Sequence, residues 1–226
     1  MRILNSIARV LFILCVPIFC LSAAISWEIS SPVVYQYGFQ KYDIQRATGL
    51  TEQELNNIAD ESSKYFGSSD EYLKITFEKN GQTFNLFTEQ ELIHFKDVKA
   101  LIAFDRRLML GSLAYIVIYT VLSFMMKTAG NRLRLGETMI AGAGLTIALL
   151  LVTVIGVLIN FDWLFLQFHL LAYTNEYWSA SGYMLMLFPQ GFWNDMVILT
   201  LLVTAIIAVA FAGVGFILRK STRNRE

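Results

Sequence analysis

Four apolar runs divide the chain, at 10–27, 108–126, 138–159 and 196–218. Each is about 18 residues or longer, the length at which a helix crosses a hydrocarbon core. The connections between them differ in kind. Residues 28–107 are polar, and at about 80 residues they are too long for a simple connector. Residues 161–195 join the third and fourth runs, yet this connection is itself largely apolar. The first run follows Arg2 and Arg9 and has small residues at Ser22, Ala23 and Ala24, an outline that a signal peptide shares. Three further spans favour a retained first helix, which Pro17 is expected to kink.

Within the polar stretch the period switches. Residues 50–66 read as a helix opened by a capping box, Thr51 with Glu54. Residues 72–78 and 82–87 alternate polar and apolar around Asn80-Gly81, a strong hairpin turn. A second capping box, Thr88 with Glu91, starts a helix carrying Leu92, His94, Phe95, Asp97, Val98 and Leu101. The stretch therefore reads as helix, hairpin, helix. In the third run, Gly142, Gly144 and Gly156 allow close helix contact.

Charge decides the sides. Basic residues cluster at Arg2 and Arg9, at Lys127, Arg132 and Arg134, and at Arg219, Lys220, Arg223 and Arg225. Four spans put these three clusters on one face, which the positive-inside bias makes cytoplasmic. The 161–195 connection has no Lys or Arg and is rich in Trp, Tyr and Phe, side chains that settle at a membrane boundary. The expected fold is membrane α-helical. It runs as a cytoplasmic amino terminus and transmembrane helix 1 over 1–27, a small extracytoplasmic α+β domain over 28–107, and helix 2 over 108–126. A cytoplasmic turn over 127–137, helix 3 over 138–160, an interfacial outer cap over 161–195, and helix 4 with a basic cytoplasmic tail over 196–226 complete it.

Composition agrees: the 226 residues are 55% hydrophobic and 14% aromatic, with mean hydropathy +0.51, as in a multi-pass membrane protein. The zero net charge offers no case for nucleic acid. Cys15 and Cys20 both fall in the first run, so no disulfide framework or Cys/His metal spacing exists outside it. No ionisable side chain lies inside the second, third or fourth run, which argues against an ion-coupled transporter.

The two histidines, His94 and His169, both belong to the outer stretches. His94 and Asp97 are three apart on a helix, close enough for the carboxylate to orient the imidazole and raise its basicity. The alternative is a solvated face on which Asp97 pairs with Lys96 or Lys99. His169 stands among Phe165, Phe168, Leu170 and Leu171, with Gln167, Asn175 and Glu176 as its nearest polar company. There it would be partly desolvated and neutral near pH 7, a state that can accept a proton. His94, Asp97 and His169 also have the chemistry of a metal set, though nothing in their spacing favours it. No nucleophile elbow, zincin motif, phosphate loop or dinucleotide motif occurs, and no cofactor is implied.

Two motifs together resemble the lipoprotein intramolecular transacylase (Lit) family of bacterial integral membrane proteins. The first is Phe87-x3-Glu91-Leu-Ile-His94-x2-Asp97-Val98-Lys99. The second is Phe165-x3-His169-x3-Tyr173-x-Asn175-x2-Trp178, followed by Leu187-Phe188-Pro189-x-Gly191-Phe192-Trp193-x-Asp195. The link over 179–186 is shorter than the acidic, proline-containing one usual in the family, which bears on substrate choice. The resemblance implies an enzyme of the bacterial cell membrane whose partners are diacylated lipoproteins and membrane lipid. It would move one O-acyl chain of the S-diacylglyceryl-cysteine to the α-amine of the same cysteine, giving the lyso form. The family's catalytic histidines match His94 and His169. Asp97, Arg106, Asn175, Trp178, Phe188 and Trp193 are the expected orienting or substrate-binding residues. The apolar setting of His169 gives it the base role, and His94 with Asp97 the stabilising one; the reverse assignment stays open. The rival class is a non-enzymatic membrane protein whose outer domain binds a ligand or partner. The two classes differ in whether lyso-form lipoprotein appears.

Overall fold

The computed structural model describes residues 2–79, 82–126 and 129–223. In chain order the elements are α1 (Arg2–Ile29), α2 (Pro32–Lys41), α3 (Ile44–Thr48), α4 (Glu52–Tyr65), β1 (Thr76–Lys79), β2 (Gln82–Asn85), α5 (Glu89–Met125) and α6 (Ala129–Ala172). A 3₁₀ turn (Tyr177–Ser179), α7 (Tyr183–Leu187) and α8 (Gln190–Arg223) follow. Helices α1, α5, α6 and α8 are long and apolar enough to cross a membrane. The chain separates into two compact units, one built from 1–25, 105–159 and 199–226, the other from 26–104 and 160–198.

The first unit is a helix bundle. Its core holds Phe12, Val16 and Cys20 of α1, Ile116 of α5, Leu135 and Met139 of α6, and Ala208 of α8. Without a hydrophobic drive inside lipid, such helices associate through close packing and a few polar contacts. Gly136 and Gly215 supply the closest approach: a Cβ on either would fall 2.6–2.7 Å from the other's carbonyl oxygen. Gly142 makes the expected close contact, with Val16 side-chain atoms 2.7 Å from a Cβ placed there. Gly144 does not, since a Cβ placed there would meet nothing within 4 Å beyond its own stretch of helix backbone. Ser22 Oγ donates to Asp105 Oδ1 at 2.6 Å and Tyr115 Oη to the Ala8 carbonyl at 3.0 Å, which ties α1 to α5. Helix α5 passes through Asp105, Arg106 and Arg107 without a break. The boundary expected at 107 therefore does not end the helix, since neither Gly nor Pro occurs between 89 and 110 and the residues are good helix formers.

The second unit packs α2, α3, α4 and the hairpin with the first turns of α5, the 160–172 part of α6, α7 and the start of α8. Helix α4 opens with the reciprocal capping box of Thr51 and Glu54. The hairpin pairs Thr76 with Asn85 and Phe77 with Phe84 in antiparallel register, shorter than the alternation suggested; its turn at Asn80-Gly81 lies outside the described residues. Helices α2 and α3 are additions to the helix–hairpin–helix reading. Pro32 sits in the first turn of α2, where its missing N–H costs nothing, and Val34, Tyr35, Gly38 and Phe39 form the buried stripe. Gly49, at φ 72°, ends α3 in the left-handed region that glycine enters freely.

Helix α6 contains one non-helical residue, Asn160, at φ −164° and ψ 88°. Its Oδ1 accepts from Trp163 N at 2.9 Å, so Asn160 caps a new helix that begins at 161 and carries His169.

Candidate active site

The site lies wholly within the second unit and is assembled from two helices. Thr88 and Glu91 set where α5 begins. Thr88 N and Oγ1 donate to Glu91 Oε2 at 2.8 and 3.0 Å, and Glu91 N returns a bond to Thr88 Oγ1. Glu91, His94 and Asp97 then follow at intervals of three, along one stripe of the helix. On the helix that Asn160 caps, Phe165 and His169 are four apart on one face, and Tyr173, just past the helix end, continues that line with its N–H on the His169 carbonyl.

Those stripes bring the two histidines together. Both are buried, with ring centroids 6.2 Å apart and planes inclined at 30°. Tyr173 stands beside both, 4.9 Å from His94 and 5.6 Å from His169. Phe165 at 4.2 Å, Trp178 at 4.9 Å and Phe168 at 5.3 Å complete an aromatic wall around His169.

The hydrogen bonds give the rings different states. His169 Nδ1 lies 2.7 Å from the Phe165 carbonyl oxygen. A carbonyl only accepts, so Nδ1 carries the proton and the lone pair is on Nε2. His94 Nδ1 is buried with no hydrogen-bond partner among the described residues, the condition of a group whose partner is a ligand. Both histidines lie outside the apolar runs of their helices, 108–126 and 138–159. Burial, and then neighbouring His169, push His94 from the ordinary 6.5 to about 4, against the opposing pull of Asp97. Burial also lowers His169, and the bond to Phe165 opposes it. Burial thus favours the neutral form of both facing imidazoles.

The other expected residues divide. Asp97 does not bond to His94: its Oδ2 accepts from Asn175 Nδ2 at 2.9 Å, while Asn175 Oδ1 accepts from Tyr177 N. Asp97 acts on the imidazole through its field alone. Lys96 is taken up by Glu71 at 2.6 Å, and Lys99 donates to Ser68 Oγ and the Asp70 carbonyl. Trp178 joins the wall. Phe188 is instead a core residue, packed among the rings of Tyr35, Phe39, Phe95, Phe192 and Trp193. It and Trp193 back the site through Phe95, the neighbour of His94. Arg106 belongs to the bundle unit. Among the described residues no three His, Cys, Asp or Glu side chains converge as metal ligands. Tyr173 stands in the second sequence motif but was given no role there, although its spacing of four from His169 placed it on the same side.

A neutral imidazole with a free Nε2 can take a proton from a nucleophile, and a second with an unused nitrogen can donate to an oxyanion. Such a pair suits acyl transfer in a dry, aromatic setting. Comparisons with known proteins agree. Residues 10–193 match the family model described as lipoprotein intramolecular transacylase Lit. No curated protein sequence matches the chain. Among solved structures, the in meso structure of the membrane integral Lit from Bacillus cereus has a TM-score of 0.80 at 17% identity, covering 99% of each chain. A form of that protein with one histidine changed to arginine has a TM-score of 0.79 at 16% identity, covering 99% of this chain and 95% of that one. At such identities the likeness establishes a shared fold, whereas the family model spans most of the sequence. The chain belongs to the lipoprotein intramolecular transacylase family.

Proposed function

We propose that this membrane transacylase moves one O-acyl chain of a lipoprotein's S-diacylglyceryl-cysteine onto the α-amine of the same cysteine, with His169 as base and His94 as oxyanion donor. The observation that carries this reading is the facing of two buried imidazoles, one with its Nδ1 bonded to a backbone carbonyl. A free α-amine has a pKa of about 7.7–8.0 and is mostly protonated at neutral pH. Its neutral fraction attacks the ester carbonyl, and His169 Nε2 removes the proton that the new C–N bond makes acidic. The oxyanion accepts from the N–H of His94 Nδ1, the ring nitrogen without a partner among the described residues. On collapse the C–O bond to glycerol breaks, and His169 returns the proton to the glycerol oxygen. The products are an N-acyl cysteine and its S-monoacylglyceryl thioether, the lyso form.

Amine and ester belong to one molecule, so holding the lipid in a near-attack pose supplies much of the entropic advantage, and no enzyme nucleophile is needed. Tyr173, Trp178 and Phe168 give the acyl chain an apolar wall that excludes water, the competing nucleophile. The basic clusters of the sequence support a bacterial cell membrane location with cytoplasmic termini and the histidines on the outer face. The test is to express the chain in a bacterium that makes diacyl lipoproteins and examine these by mass spectrometry. Lyso-form lipoprotein is expected; unchanged diacyl lipoprotein with the enzyme present in the membrane refutes the reading.

A further inference from the structure

Glu91 is fully buried and has no part in the two-histidine chemistry. Its capping box occupies one oxygen. The other, Oε1, accepts from Met184 N at 2.7 Å, a residue 93 positions away. Gly182 lies flat on the same carboxylate, where a Cβ would fall 2.6 Å from Glu91 Cδ. The backbone at Gly182 is extended, so close approach, not conformation, demands glycine there. One turn beyond His94, Asp97 holds Asn175. The 175–184 strap is thus fastened at both ends to the α5 stripe with His94 between the fasteners. Between them, too, Trp178 of the strap packs on His169.

We propose that Glu91 is a positioning residue of the transacylase: by clasping Gly182 and Met184 to the first turn of α5, it holds the strap so that Trp178 and His169 keep their place against His94. The inference rests on the two-histidine reading of the reaction. It needs an accurate distance, because a misplacement of about 1 Å in a catalytic pair can cost about a hundredfold in rate.

The test uses the full-length enzyme in bilayers, a synthetic diacylglyceryl-cysteine lipopeptide, and mass spectrometry of the lyso product. Glu91→Gln offers one acceptor in place of two, so it cannot serve both Thr88 and Met184. Its kcat is expected to fall about tenfold or more with KM held within about threefold. Thr88→Ala weakens the cap but leaves the Met184 bond, so it should lower the thermal midpoint and keep kcat within about threefold. Gly182→Ala presses on the carboxylate from the strap side and should match the kcat loss of Glu91→Gln. The double variant should lose little more than the worse single one, since both break one contact. Where Glu91→Gln does not fold, Gly182→Ala carries the test with the same thresholds. A folded clasp variant with near-normal kcat, a Thr88→Ala loss as large as the clasp loss, or additive losses in the double variant overturns the inference. A wild-type enzyme that makes no lyso product overturns the reaction itself, and the inference with it.

Discussion

At the residue scale the decisive fact is that His94 and His169 are neutral for a shared reason, burial, but are held differently. If they act as a unit, His94→Ala and His169→Ala should each remove nearly all transacylation, and the double change should cost little more, read by lyso-product formation. Asp97→Asn should be milder: an amide oxygen can still accept from Asn175, and losing the carboxylate's field leaves His94 more firmly neutral. Stability should depend on pH through His94. Its folded value of about 4 lies below the ordinary 6.5, so between these values the unfolded chain binds more protons and stability rises with pH. The wild-type thermal midpoint should therefore fall as pH drops from about 6.5 toward 4, and His94→Ala should flatten that slope. An equal slope in the variant would place the pH dependence elsewhere. Both histidines were legible as the only two in the chain, set in recognisable motifs. The pairing of Asp97 with Asn175 was not, because their 78-residue separation hides a contact that helical spacing had suggested would go to His94.

Elements decide where those residues stand, and Asn160 is the clearest case. It stops one helix and caps the next, the one that carries His169. Asn160→Ala removes the cap acceptor and should cost about 1 kcal/mol, seen as a lower thermal midpoint together with reduced activity. Asn160→Asp keeps a capping oxygen and should restore most of both. Equal loss in the two variants would mean that the side-chain cap is not what holds this helix. The two capping boxes were readable because Thr-x-x-Glu carries its own mechanism, and α4 and α5 begin where those motifs put them. Helix α2 was missed for the opposite reason. It opens at Ser31-Pro32 with no side-chain cap, and its Val, Tyr and Phe are as much at home in strands. The unbroken run of α5 past Arg107 was also missed, since charged residues at 105–107 read as a boundary although nothing in their backbone preferences ends a helix.

For the whole molecule, hydropathy alone announced four spanning helices, because each run is too long and too apolar for a small soluble core. Sidedness depends on charge rather than on packing. Outside the long 28–107 stretch the basic residues gather at 2–9, 127–134 and 219–225, while 161–195 has none, and long outer stretches cross largely regardless of their own lysines. Both termini should therefore be cytoplasmic. The test starts from a chain with Cys15 and Cys20 replaced by alanine. Single cysteines then go at Ser69 and Ser179, both exposed, and at Ser221 near the end of α8. An impermeant thiol reagent applied to intact cells should label the first two and reach the third only after permeabilisation. Labelling of Ser221→Cys in intact cells, with protection of the other two, would invert the topology. Such an inversion would put His94 and His169 on the cytoplasmic face, away from lipoproteins whose amino-terminal cysteine is displayed outside. Failure of this prediction would therefore remove the proposed substrate from the site while leaving the two-imidazole geometry intact.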